Sequence, residues 1–154
     1  MTPVDSPLGR LWITGRNGAL ISLSWQKPRL SPGAADAAVE ARAERWLARY
    51  FKGDFQPVDF PLAPEGTPFR HKIWDILVTI PAGEVWTYGR MAEAVGTAPR
   101  AVGGAMGGNP LPILIPCHRV VAAGGGLGGY SGRGGVETKR RLLALEGVAL
   151  PKQA

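Results

Sequence analysis

One cysteine and two histidines are all that this chain of 154 residues contains. A lone thiol cannot close an internal disulfide and makes a poor start for a structural zinc site; the expectation is a protein with neither metal nor cofactor. Acidic residues are sparse as well. Twelve Asp and Glu stand against eighteen Lys and Arg, for a net charge of +6. Such an excess on a small domain favours polyanionic partners, nucleic acid first. No apolar run reaches the ~20 residues of a membrane helix. The first residues, Met1-Thr2-Pro3-Val4-Asp5-Ser6, lack the charged-then-apolar order of a signal peptide. The expectation is a cytoplasmic, nucleoid-associated monomer with no membrane partner, in a reducing compartment that keeps a thiol free.

The cysteine sits in the run Ile113-Leu114-Ile115-Pro116-Cys117-His118-Arg119-Val120-Val121. Two readings compete. A lone cysteine is commonly an inert, buried residue, and neighbouring side chains on a strand point to opposite faces. Against that, a base or cation near a thiol favours the reactive thiolate. The run predicts an apolar strand over 113–115 that ends at Pro116. Cys117, His118 and Arg119 then follow where the strand stops, a common location for reactive groups.

The rest of the chain divides into segments. Apolar positions Leu11, Ile13, Leu20, Ile21, Leu23 and Trp25, punctuated by Gly15, Asn17 and Gly18, predict a β-hairpin over 8–25. Val39, Ala43, Trp46, Leu47, Tyr50 and Phe51 have helical spacing, with Gly53 as the stop. Residues 54–66 carry Pro57, Pro61 and Pro64 and read as a linker. Thr67-Pro68 then caps a helix whose stripe is Phe69, Ile73, Trp74, Leu77 and Ile80. Thr87 caps a short helix from Tyr88 to Val95, closed by Gly96, and another runs from Pro99 to Met106. Two short helices in a basic chain fit a helix-turn-helix. The last helix spans Val136–Glu146. The tryptophans read mostly as core, His71 as a surface or packing residue, and Lys72 and Arg90 as solvated. The fold class is α/β (α+β). A small sheet-and-helix lobe over 1–53 and the linker precede a mainly helical, winged-helix-like lobe over 67–154.

The helix after Pro99 is unusual. Arg100-Ala101-Val102-Gly103-Gly104-Ala105-Met106-Gly107-Gly108 holds four glycines. Each interior glycine costs about 1 kcal/mol relative to alanine. Close approach of a backbone to this helix would give a reason. The approaching partner could be a DNA groove or another helix packed on Gly103 and Gly104.

Pro116-Cys117-His118-Arg119-Val120-Val121 resembles the signature of the O6-alkylguanine-DNA alkyltransferases. Supporting motifs follow in family order: Thr87-Tyr88-Gly89, Arg100-Ala101-Val102-Gly103, Gly108-Asn109-Pro110, Gly129-Tyr130-Ser131-Gly132, and Lys139 with Glu146. Asp5-Ser6-Pro7-Leu8-Gly9 resembles the family's N-terminal start. The likeness spans nearly the whole chain and is strongest from 68 to 147.

The resemblance implies direct reversal of damage in double-stranded DNA. Cys117 would take the alkyl group from O6-alkylguanine, or from O4-alkylthymine, once and irreversibly. His118 would act as base through a water, Glu146 would polarise it, and Asn109 would brace the site. Tyr88 would donate a proton, with Lys139 and Ser131 as O6-side donors. Val120 and the Cys117 carbonyl would read the purine amino group, and Met106, Tyr130, Ser131 and Gly132 would line the pocket. Arg100 would fill the gap left by a flipped base while Ala101, Gly103 and Gly104 meet the minor groove. Two rivals are an alkyltransferase-like lesion sensor without transfer and a cysteine hydrolase. Relative to many family members, the loop from Tyr88 to Arg100 is about two residues shorter. The stretch from Gly132 to Lys139 is about two longer, and Gly107 replaces a basic residue.

Overall fold

The computed structural model describes residues 1–29, 36–123, 126–128 and 135–148. Packing divides the chain into two units, Met1–Glu65 and Gly66–Ala154.

In the first unit the hairpin forms from β2 (Gly9–Arg16) and β3 (Ala19–Ser24). Its turn places Asn17 and Gly18 at φ 52° and 81°, which suits the two-residue turns of twisted hairpins. A third strand, β1 (Thr2–Ser6), pairs antiparallel with β2 in the order β1-β2-β3. Its five residues hold too few apolar positions to show alternation. Helix α1 (Ala37–Tyr50) starts at Asp36, whose carboxylate accepts from the amides of Ala38 and Val39. Val39, Ala43, Leu47 and Tyr50 are buried along one face. The helix lies so close to the sheet that a Cβ on Gly15 would come within 2.2 Å of Val39 Cγ1. Residues 61–63 run beside β3, with Leu20 donating to the Pro61 carbonyl and Ala63 donating to that of Leu20.

The second unit begins with α2 (Pro68–Leu77), capped by the Thr67 hydroxyl. Ile73, Trp74 and Leu77 are buried, and so is Ile80 beyond the helix end. Phe69, expected in that stripe, is instead exposed, because it lies in the first turn, ahead of the buried stretch. Strand β4 (Trp86–Thr87) leads into α3 (Tyr88–Val95), where Thr87 accepts from the Arg90 amide and Gly96 closes the helix at φ 80°. Helix α4 (Pro99–Gly107) packs on α2 and α3. A 3-10 turn (Cys117–Arg119) precedes β5 (Val120–Val121), which pairs parallel with β4 in the register Trp86↔Val120 and Thr87↔Val121. Helix α5 (Val136–Leu145) ends at Glu146.

The predicted strand over 113–115 is absent. Ile113 takes φ 75°, Pro112 bridges to Ile115, and Ile115 donates to the Leu111 carbonyl, so the chain folds back on itself. Burial, not strand pairing, explains this apolar run: residues 111–116 are all buried. Short apolar runs do not distinguish the two cases. The tryptophans also divide. Trp25 and Trp74 are buried, whereas Trp12, Trp46 and Trp86 are half-buried. Arg90 is exposed as expected, and its guanidinium also lies 4.0 Å from the centroid of the Trp86 ring. His71 packs edge-on against Trp74.

Candidate active site

The fold-back before Cys117 is pinned by one side chain. Asn109 Oδ1 accepts from the Leu111 amide at 2.9 Å, and Asn109 Nδ2 donates to the Ile115 carbonyl at 2.9 Å. The chain then enters the 3-10 turn with the Cys117 amide donating to the Ile115 carbonyl. This places the thiol, 6% exposed, at a largely apolar cavity of about 750 Å³. Tyr88 and Gly89 contribute one wall of that cavity. Pro99, Arg100, Gly103, Met106 and Gly107 of α4 form another, and Ala122 and Ala123 complete the lining.

Behind the cysteine lies a buried charge network. His118 is fully buried, and its Nε2 is 2.7 Å from Glu146 Oε2. A carboxylate only accepts, so Nε2 carries the hydrogen and Nδ1 is left with a lone pair. Nδ1 has no hydrogen-bond partner among the described residues. Arg119 grips the same carboxylate in two places: Nε to Oε1 at 2.8 Å and Nη2 to Oε2 at 2.9 Å. Its Nη1 donates to the Ile80 carbonyl. Lys139 on α5 is fully buried, donates to the Val120 carbonyl at 2.6 Å, and holds its ammonium 5.7 Å from the centroid of the Tyr88 ring.

These surroundings set the protonation states. Burial pushes the Cys117 thiol up, and this outweighs an Asn109 hydrogen bond and the Lys139 charge, both of which favour thiolate. Burial lowers His118, with Glu146 pulling the other way, so the imidazole is neutral near pH 7. Burial would raise Glu146, but hydrogen bonds and charge from His118 and Arg119 prevail and hold it at about 2. Burial brings Lys139 down to about 8. The result is a neutral base with a free nitrogen, a cation that steadies a thiolate, and a nucleophile open to an apolar cavity. That set can deprotonate the thiol on demand and deliver it to an electrophilic carbon.

The chain is similar to known proteins. Residues 68–148 match the family model described as 6-O-methylguanine DNA methyltransferase, DNA binding domain. The chain belongs to that family. The methylated-DNA–protein-cysteine methyltransferase of Methanosarcina acetivorans is 40% identical, over 93% of this chain and 95% of its own. The crystal structure of Mycobacterium tuberculosis OGT in complex with DNA superposes with a TM-score of 0.83 at 40% identity, covering 94% of this chain and 90% of that one. S. pombe Atl1, in complex with damaged DNA containing O6-carboxymethylguanine, gives a TM-score of 0.51 at 31% identity over 58% of this chain and 84% of its own.

Within this methyltransferase-family chain, Tyr88, Arg100, Gly103, Met106 and Cys117 share the cavity. His118, Glu146 and Lys139 stand behind it, and Asn109 underlies it. Ala101 is half-buried and Gly104 exposed on α4. Val120 is fully buried, with its carbonyl engaged by Lys139. Tyr130, Ser131 and Gly132 lie outside the described residues. No metal-binding cluster occurs among the described residues, and no helix among them is long and apolar enough to cross a membrane. Reasoning from sequence placed Arg119 beside Cys117 and His118 but gave it no role. The available signal was a guanidinium inside an otherwise apolar run, since charges are buried only when paired. Gly89, Pro99, Gly107, Ala122 and Ala123 were also missed as cavity lining, because small residues carry no chemical signal.

Proposed function

We infer that this chain repairs O6-alkylguanine in duplex DNA by direct, single-turnover transfer of the alkyl group to Cys117. The observation that carries the reading is the thiol opening onto an apolar cavity with a neutral His118–Glu146 pair behind it. The thiol proton passes to His118 Nδ1 through a water. The thiolate sulfur attacks the alkyl carbon, a sulfur–carbon bond forms, and the carbon–O6 bond breaks with its electron pair moving into the guanine. Tyr88 returns a proton to the departing base, and Lys139 stabilises the developing charge. The thioether has no good leaving path, so the protein acts once. O4-alkylthymine presents the same carbon–oxygen bond and is a second substrate.

A buried thiol cannot reach O6 inside a stacked duplex, so the nucleotide is flipped out. Arg100, exposed at the start of α4, fills the vacated position. Ala101, Gly103 and Gly104 face the minor groove, and Met106, Val120, Tyr130, Ser131 and Gly132 shape the base pocket. Residues 67–154 bind DNA and accept the alkyl group, while 54–65, read from the sequence as a linker, pack with the first unit, where 61–63 run beside β3. The protein works where the DNA lies, in the cytoplasm of a prokaryote. The sensor reading is disfavoured by the thiol itself.

The decisive experiment is intact-mass analysis after mixing with a duplex carrying one O6-methylguanine, beside Cys117→Ser. The expected result is a gain of one methyl group per protein, absent from the variant. Lesion binding with no gain would establish a sensor instead.

The glycines of α4 give a second test. A Cβ on Gly103, Gly104 or Gly107 would meet nothing within 4 Å among the described residues, so packing against those residues does not require glycine there. Alanine at Gly103 or Gly104 should therefore stabilise the fold by up to about 1 kcal/mol while weakening DNA binding several-fold. Thermal melting and a duplex-binding titration check the two signs. Unchanged DNA affinity would remove this face of α4 from the interface.

A further inference from the structure

We propose that Arg119 is a positioning residue that keeps His118 in the proton-accepting state by engaging both oxygens of Glu146. The inference rests on the alkyl-transfer reading for its meaning, but its geometry stands apart from it. A buried imidazole beside a lone buried carboxylate would hold a second proton tightly, because imidazolium and carboxylate neutralise each other in a medium of low polarity. A base in that state cannot take a proton from a thiol. Here the carboxylate is shared. Oε1 accepts from Arg119 Nε, and Oε2 accepts from both Arg119 Nη2 and His118 Nε2. The carboxylate charge is thus balanced by the guanidinium before the imidazole needs to supply any. Arg119 cannot drift to another partner, since its third contact is the Ile80 carbonyl and its side chain is only 11% exposed.

The charged groups acting on His118 pull in opposite directions. Glu146 at the end of α5 favours the imidazolium. Arg119 on the 3-10 turn and Lys139 on α5 oppose it. The same sharing fixes the ring: with Glu146 Oε2 held at Nε2, the lone pair remains on Nδ1, which has no other partner among the described residues. A planar, always-charged fork is suited to this task, and a lysine is a point charge that reproduces only part of it.

The test is an NMR titration of His118 in the intact protein, as wild type, Arg119→Lys and Arg119→Met, beside the pH profile of single-turnover methyl transfer. In Arg119→Met the His118–Glu146 pair should keep its extra proton to a pH at least one unit higher. The acid limb of the transfer profile should move by the same amount, with the rate on that limb falling about tenfold for each pH unit it moves. Arg119→Lys should restore most of the pH shift and only part of the rate. If Arg119→Met lowers stability yet leaves the titration unmoved, the residue is merely structural and the proposal fails. If Arg119→Met does not fold, Arg119→Lys decides alone through the rate: transfer at the full wild-type rate across the pH range overturns the proposal. A wild type that shows the titration but no transfer would refute the alkyl-transfer reading and leave the role of Arg119 intact.

Discussion

Replacing Glu146 with alanine should cost about 3–5 kcal/mol of stability, the loss expected when one member of a buried ion pair is removed. The carboxylate is fully buried and holds both His118 and Arg119. Its removal leaves a guanidinium in the interior with one carbonyl contact and a histidine with no acceptor for Nε2. Alkyl transfer should fall further still, by about 100-fold or more, since general-base assistance is worth 10²–10⁴ in rate. Denaturant unfolding and single-turnover transfer measure the two losses. A stability change below about 1 kcal/mol, the range of exposed pairs, would mean the network is not buried in solution. The same carboxylate predicts an acid limb of stability. Its pKa in the fold is about 2, depressed from an ordinary 4.5. A depressed acid contributes its stability above the unfolded value and loses it as pH falls toward the folded one. Wild type should therefore lose about 3 kcal/mol between pH 4.5 and pH 2 relative to Glu146→Ala.

Lys139→Met should separate stability from chemistry. The lysine is fully buried, and its charge has been pushed from 10.5 to about 8. A depressed lysine costs the fold below its folded pKa, and that cost disappears as pH rises toward the unfolded value, because there the unfolded chain binds the extra proton. Methionine removes the cost and also loses the hydrogen bond to the Val120 carbonyl, worth about 1–3 kcal/mol when the partner is left buried. The two effects nearly cancel near pH 7. Wild type should then gain about 3 kcal/mol on the variant between pH 8 and pH 10.5. Methyl transfer should drop on the order of 100-fold, as expected when a preorganised charge at a reacting centre is removed. Unfolding at several pH values, with quenched single-turnover transfer, checks both. Transfer at the wild-type rate would show that the ammonium plays no part in the reaction.

The sequence made some of these features readable and concealed others. Thr67-Pro68, Thr87 and Gly96 announced helix ends, because caps depend on neighbours three or four residues away. The hairpin was equally open, through Asn17-Gly18 and alternation. The cysteine motif and its flanking residues identified the family before any geometry was known. Ile113-Leu114-Ile115 misled, since an apolar run records burial without recording direction. Strand β1 was hidden because its partner is the only thing that makes it a strand. Arg119 was hidden for a related reason: its role depends on Glu146, 27 positions away, and on a carbonyl at Ile80, 39 positions back.

The short parallel ladder between β4 and β5 has a consequence for how such chains tolerate change. Trp86↔Val120 and Thr87↔Val121 fasten the residue before Tyr88 to the segment just after the cysteine turn. Tyr88 and the cysteine turn are therefore held in register through two rungs of backbone pairing, not through the roughly thirty residues that join them along the chain. Insertions and deletions between Tyr88 and Arg100 can accumulate without altering the gap between phenol and thiol. A length change there would shift Arg100 and α4, whereas a one-residue slip of the ladder would mis-set the gap between phenol and thiol in a single step.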